Sequence, residues 1–109
     1  MMRLRHVTRS SGNVFSDLRL PNAGEKQTKA RLAVTINQII AGQELSQVAA
    51  ALRLKINQPK ISALANYRLE GFSVERLMHF LIALDRDVEI VIRSKPRSRK
   101  EARIHVSAA

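Results

Sequence analysis

Gln58, Lys60, Ser62 and Ala63 fall within one short stretch of the chain, and each type has a match on the edges of DNA bases. A glutamine amide pairs with the N6/N7 edge of adenine, while a lysine ammonium donates to guanine O6/N7 or to phosphate. Ser62 is short enough to touch a base or a phosphate, and Ala63 can lie against a thymine methyl. Gln47, upstream, can hold a phosphate, aided by the unpaired amides of a helix start. Arg53, Lys55 and Arg68 suit phosphate contacts better than sequence reading. The plain alternative is a solvated helix face; it weighs least on Gln58 and Lys60 and more on Ser62, Ala63 and Gln47.

Helical segments must position these residues. A second helix should start at Ser46 as N-cap and end near Leu54, with Ala50, Ala51 and Leu54 turned inward. A third starts at Asn57, tolerates Pro59 in its first turn and buries Ile61 and Leu64. Lys60 is expected to face away from the core with Gln58, Ser62 and Ala63. Two short capped helices joined by a few residues read as a helix-turn-helix, whose second helix enters the major groove. Before them, Leu32, Ile36, Ile39 and Ile40 predict a helix over 25–41, with Gly42 as its stop.

After them, Ser73 caps a fourth helix to about Leu84, buried through Val74, Leu77, Leu81 and Leu84. Met78, Phe80 and Ile82 extend its apolar surface around the circumference, which suggests a second subunit; wrapping by the termini is the alternative. Asp87-Val88-Glu89-Ile90-Val91-Ile92 alternates with a period of two and reads as a strand. Such a strand needs a partner, either its copy in a second subunit or the Val14-Phe15 region. The expected class is all-α: a helix-turn-helix bundle with a short C-terminal β-strand, dimeric through Met78, Phe80, Ile82, Val88, Ile90 and Ile92.

The 109 residues suit one domain at 25–93, between an N-terminal arm (1–24) and a basic tail (94–109) that is disordered when free. The net charge of +10 is unevenly placed. Arg3, Arg5, Arg9 and Arg19 oppose only Asp17 in the arm, and Arg93, Lys95, Arg97, Arg99, Lys100 and Arg103 oppose only Glu101 at the other end. Residues 45–69 contain four cations and no acid, whereas Glu70, Glu75, Asp85, Asp87 and Glu89 make the next segment net acidic. A nucleic-acid face backed by a different surface has this asymmetry. Aromatics at 4% argue against a coat that stacks on single-stranded bases.

Catalysis finds little support. His6, His79 and His105 are far apart, so no metal site or cofactor is expected, and no glycine-rich phosphate loop is present. With no cysteine, no membrane-length apolar run and no secretory start, a cytoplasmic location is expected.

Leu45-Ser46-Gln47, the alanine pair, Leu54 and Ile56-Asn57-Gln58-Pro59-Lys60-Ile61-Ser62 resemble the lambda-repressor-like helix-turn-helix of the XRE family. Gly12-Asn13-Val14-Phe15-Ser16-Asp17-Leu18, Leu20-Pro21-Asn22-Ala23, Gly71-Phe72-Ser73-Val74-Glu75-Arg76-Leu77 and Arg86-Asp87-Val88-Glu89-Ile90-Val91-Ile92 are similar to a subgroup of HigA-like antitoxins and small regulators. The resemblance implies a dimeric repressor on a palindromic operator in double-stranded DNA. In many relatives a RelE/HigB-like toxin is also bound. A stand-alone regulator, or a toxin-binding module with incidental DNA contacts, are the alternatives. Lys55 and Asp85 stand where the family commonly has glycine. A left-handed Lys55 would carry roughly 1–2 kcal/mol of strain.

Overall fold

Ser46, Asn57 and Ser73 hold extended backbone and turn a side-chain oxygen onto an amide three residues ahead. Ser46 Oγ accepts from Ala49 N at 3.1 Å, Asn57 Oδ1 from Lys60 N at 2.9 Å and Ser73 Oγ from Arg76 N at 3.0 Å. Caps of this kind contribute about 1 kcal/mol each. They open α2 (Gln47–Leu54), α3 (Gln58–Ala65) and α4 (Val74–Ala83), which follow a longer α1 (Asn22–Gly42). The computed structural model describes residues 22–108, so the Val14-Phe15 region offered as a strand partner, the cations of the arm and His6 lie outside the described residues.

Leu32, Ala33 and Ile36 of α1 meet Leu77, Phe80, Leu81 and Leu84 at the centre of one core. α1 packs on α4, and α2 on α3. Ala50 and Ala51 are small and buried, which lets neighbouring backbones come close. Asn37 on α1 donates through Nδ2 to the Leu64 carbonyl at 3.1 Å, tying the last turn of α3 to the longest helix. The orientation of α3 is thus fixed by Ile61 and Leu64 inside and by a hydrogen bond at its end.

All four helices close with one bonding pattern. A left-handed residue donates to the carbonyl three back, and its successor donates to the carbonyl five back. The left-handed residues are Glu44, Lys55, Tyr67 and Asp85, with φ of 55, 59, 59 and 63°. Their amides reach Ala41, Leu52, Leu64 and Ile82; those of Leu45, Ile56, Arg68 and Arg86 reach Ile40, Ala51, Ala63 and Leu81. Glycine would carry less strain at each. Lys55 is therefore left-handed, with the strain anticipated for it.

Three expectations are corrected. Gly42 does not stop the first helix, which includes it; the reversal falls at Glu44, where Leu45 can fold back onto the core. Residues 87–92 form no strand among the described residues, only a bridge at Ile92. A strand exists through its neighbour's hydrogen bonds, and no ladder forms along this segment among the described residues. Phe80 is not an interface residue: it is 4% exposed and meets Phe72 edge-on, with ring centroids 5.8 Å apart.

The segment after Ser94 runs back to α1. Val106 packs against the core cluster, and Arg31 Nη1 lies 3.3 Å from His105 Nδ1. No helix among the described residues is long and apolar enough to cross a membrane.

Candidate nucleic-acid interface

With Ile61 and Leu64 buried, the rest of α3 must present Gln58, Pro59 and Ser62 outward. Gln58 is exposed in the first turn, and its amide has no partner among the described residues. Ser62 is half-buried; its carbonyl accepts from Asn66 Nδ2 at 2.8 Å, and its Oγ is 3.5 Å from the same nitrogen. Ala63 is half-buried against the core, so it offers a narrow apolar edge.

Lys60 departs from expectation. Its ammonium donates to the Gly71 carbonyl at 3.2 Å and lies 4.9 Å from the centre of the Phe72 ring. The side chain is folded back on the loop before α4 instead of standing away from the core. A β-carbon at Gly71 would fall 2.8 Å from Lys60 Nζ, so the absence of a side chain there makes room for it. In water such a ring contact is worth about 0.5–1 kcal/mol, small enough for a stronger acceptor to displace.

The expected phosphate contacts divide. Gln47 is exposed in the first turn of α2, where backbone amides remain unpaired. Lys55 and Arg68 are exposed, with no side-chain partner among the described residues. Arg53 is engaged internally: Nε donates to the Ala83 carbonyl and Nη2 pairs with Asp85 Oδ2, both at 3.1 Å. It links α2 to the end of α4 and also gives Asp85 a role in its left-handed turn. The spacing of cations in the sequence did not reveal this pairing.

Of the expected interface residues besides Phe80, Ile82 and Ile92 are exposed, while Met78, Val88 and Ile90 are half-buried. Val48 and Leu52, one turn apart on α2, are also exposed, Leu52 at 75%. Their helical spacing marks a second apolar stripe that sequence reasoning passed over. It passed over Tyr67 too, an exposed aromatic just beyond α3. His79 lies 3.9 Å from Glu75, and no group of metal-ligating side chains occurs among the described residues.

Residues 14–93 match a family described as a helix-turn-helix domain. A solved structure provisionally described as an XRE family transcriptional regulator is 68% identical in sequence. The similarity spans 82% of this chain and 100% of that one, with a TM-score of 0.79. No curated protein matches the chain.

Proposed function

The chain belongs to this helix-turn-helix family, and from that premise we propose that it is a DNA-binding transcriptional regulator that represses from a palindromic operator as a dimer. The observation that carries the reading is the outer face of α3, exposed at Gln58 and braced from behind by Ile61, Leu64 and Asn37. A rigid helix with an unpaired amide at its leading end is what major-groove reading requires. Gln58 is the principal base reader, flanked by Ser62 and the edge of Ala63. Lys60 joins by leaving Gly71 and Phe72 for a base or phosphate. Gln47, Lys55 and Arg68 hold phosphates.

Dimerisation would use the exposed Ile82 and Ile92 with the rims of Met78, Val88 and Ile90. Two-fold symmetry then requires half-sites about 34 Å apart, or a multiple.

The antitoxin role of a type II pair is the finer reading, and it is supported by the four sequence blocks alone. A net charge of +10 is a poor match for a toxin that is itself basic, which favours a stand-alone regulator. Co-purification with the product of an adjacent small reading frame would reverse that preference.

A gel-shift titration of the chain against the DNA upstream of its own gene, with a random duplex as control at two salt concentrations, tests the proposal. The expected result is a discrete complex of two protomers and a preference for the upstream duplex that persists at higher salt. Equal affinity for both duplexes, falling steeply with salt, would instead describe a general nucleic-acid coat.

A further inference from the structure

Gly71 has no conformational need to be glycine. No glycine among the described residues has a positive φ, and Gly71 is exposed, so its backbone would accept an alanine. The only described atom that a β-carbon there would meet is Lys60 Nζ, at 2.8 Å. Glycine at this position therefore serves the lysine, and what it provides is a seat. The ammonium rests on the Gly71 carbonyl at 3.2 Å and over the Phe72 ring at 4.9 Å. Both partners are neutral, and no carboxylate pairs with Lys60 among the described residues. A phosphate oxygen is a stronger acceptor for a cation than either.

The place of Lys60 on α3 leaves it two ways to go. It lies in the first turn, the end of a recognition helix that meets base edges. At about 100° per residue it emerges on the flank, roughly 70° from the middle of the stripe made by Ile61 and Leu64. It is accordingly half-buried, between the core and the exposed Gln58 and Pro59. From that border its flexible four-carbon stem can turn to the loop before α4 or outward.

We propose that Gly71 regulates the DNA-facing surface by holding Lys60 seated in the free protein, so that Lys60 engages a duplex only after leaving. The inference rests on the reading of α3 as the DNA-facing helix. A group that must vacate an internal site before it binds lowers the observed affinity by the fraction of molecules in which it is already free. For a ring contact and a carbonyl bond near the surface this amounts to about threefold to tenfold.

Gly71→Ala, Lys60→Met and the double variant, titrated against the upstream-region duplex and a random duplex, test it, with NMR of the lysine side chain alongside. In the free parent the Phe72 ring should shift the Lys60 ε-methylene protons upfield. That shift should vanish in Gly71→Ala and in the parent's complex with the upstream duplex. Gly71→Ala should bind the upstream duplex about threefold to tenfold more tightly than the parent, and Lys60→Met more weakly. In the double variant the alanine should change nothing, because the seat then has no occupant; a merely structural glycine would act whether or not the lysine is there. If the shift survives the alanine, the bulkier Gly71→Val is judged by the same outcomes, and a shift that survives both variants overturns the inference. Parent-like or weaker binding once the shift is lost also overturns it, as does a shift that persists in the parent's complex; each leaves the regulator reading intact. A parent that binds the random duplex but shows no preference sinks the regulator reading alone, and Lys60 is then judged on the random duplex. A parent that binds neither overturns both.

Discussion

Glu44 closes α1 at φ 55°, exposed, with no ion pair or hydrogen bond from its side chain among the described residues. Nothing there offsets the left-handed backbone. Glu44→Gly should raise stability by about 1 kcal/mol, the strain relief less the extra freedom glycine has when unfolded. For a domain of this size that corresponds to a melting temperature higher by about 4–8 °C, readable by circular dichroism. An unchanged melt would mean that the turn stores no strain. The corresponding change at Asp85 is a weaker test, because it also removes the Arg53 pair. That pair is largely exposed and worth at most about 1 kcal/mol, so the two effects nearly cancel. At this scale the sequence was only partly legible. Lys55 and Asp85 could be flagged because the family commonly has glycine there, and Gln58 could be placed by the burial of Ile61 and Leu64. The fold-back of Lys60 onto Phe72 could not, because a flexible side chain chooses its resting contact from residues that only the fold brings near.

The helices themselves were legible for a simpler reason: their starts are local. Ser46, Asn57 and Ser73 cap within three residues, and the apolar spacing behind each names the buried face. Helix ends were harder. The stop of α1 depends on where Leu45 finds the core, not on Gly42. The strand was not legible, since alternation in 87–92 shows which side is apolar but not whether a neighbouring strand exists. On α4, spacing alone left Phe80 and Ile82 as equals, and the structure separates them. Phe80→Ala should cost about 3–5 kcal/mol through an emptied core site and a lost ring pair. By contrast, Ile82→Ala, at a residue 52% exposed, should stay within about 0.5 kcal/mol in dilute protein. Urea denaturation of both variants checks this. A similar loss at both would mean that Ile82 is covered, and a dependence of that loss on protein concentration would identify the cover as a second copy.

For the whole molecule, charge and shape work together. The +10 total draws the chain to any duplex, while the acid-free span over 45–69 carries α2 and α3. Attraction of that kind is not specific, and the specific part is assigned to a few side chains on one helix. Gln58 carries most of that assignment, since Lys60 has its own contacts to give up and Ala63 is half-buried. The most direct measurement is therefore the preference of Gln58→Ala for the upstream-region duplex over a random duplex of equal length. Affinity for the upstream duplex should fall by about 1–3 kcal/mol, while random-duplex affinity and the melting temperature stay at the parent's values. A variant that keeps the parent's full preference would contradict it, because the outer face of α3 would then not be what distinguishes one duplex from another.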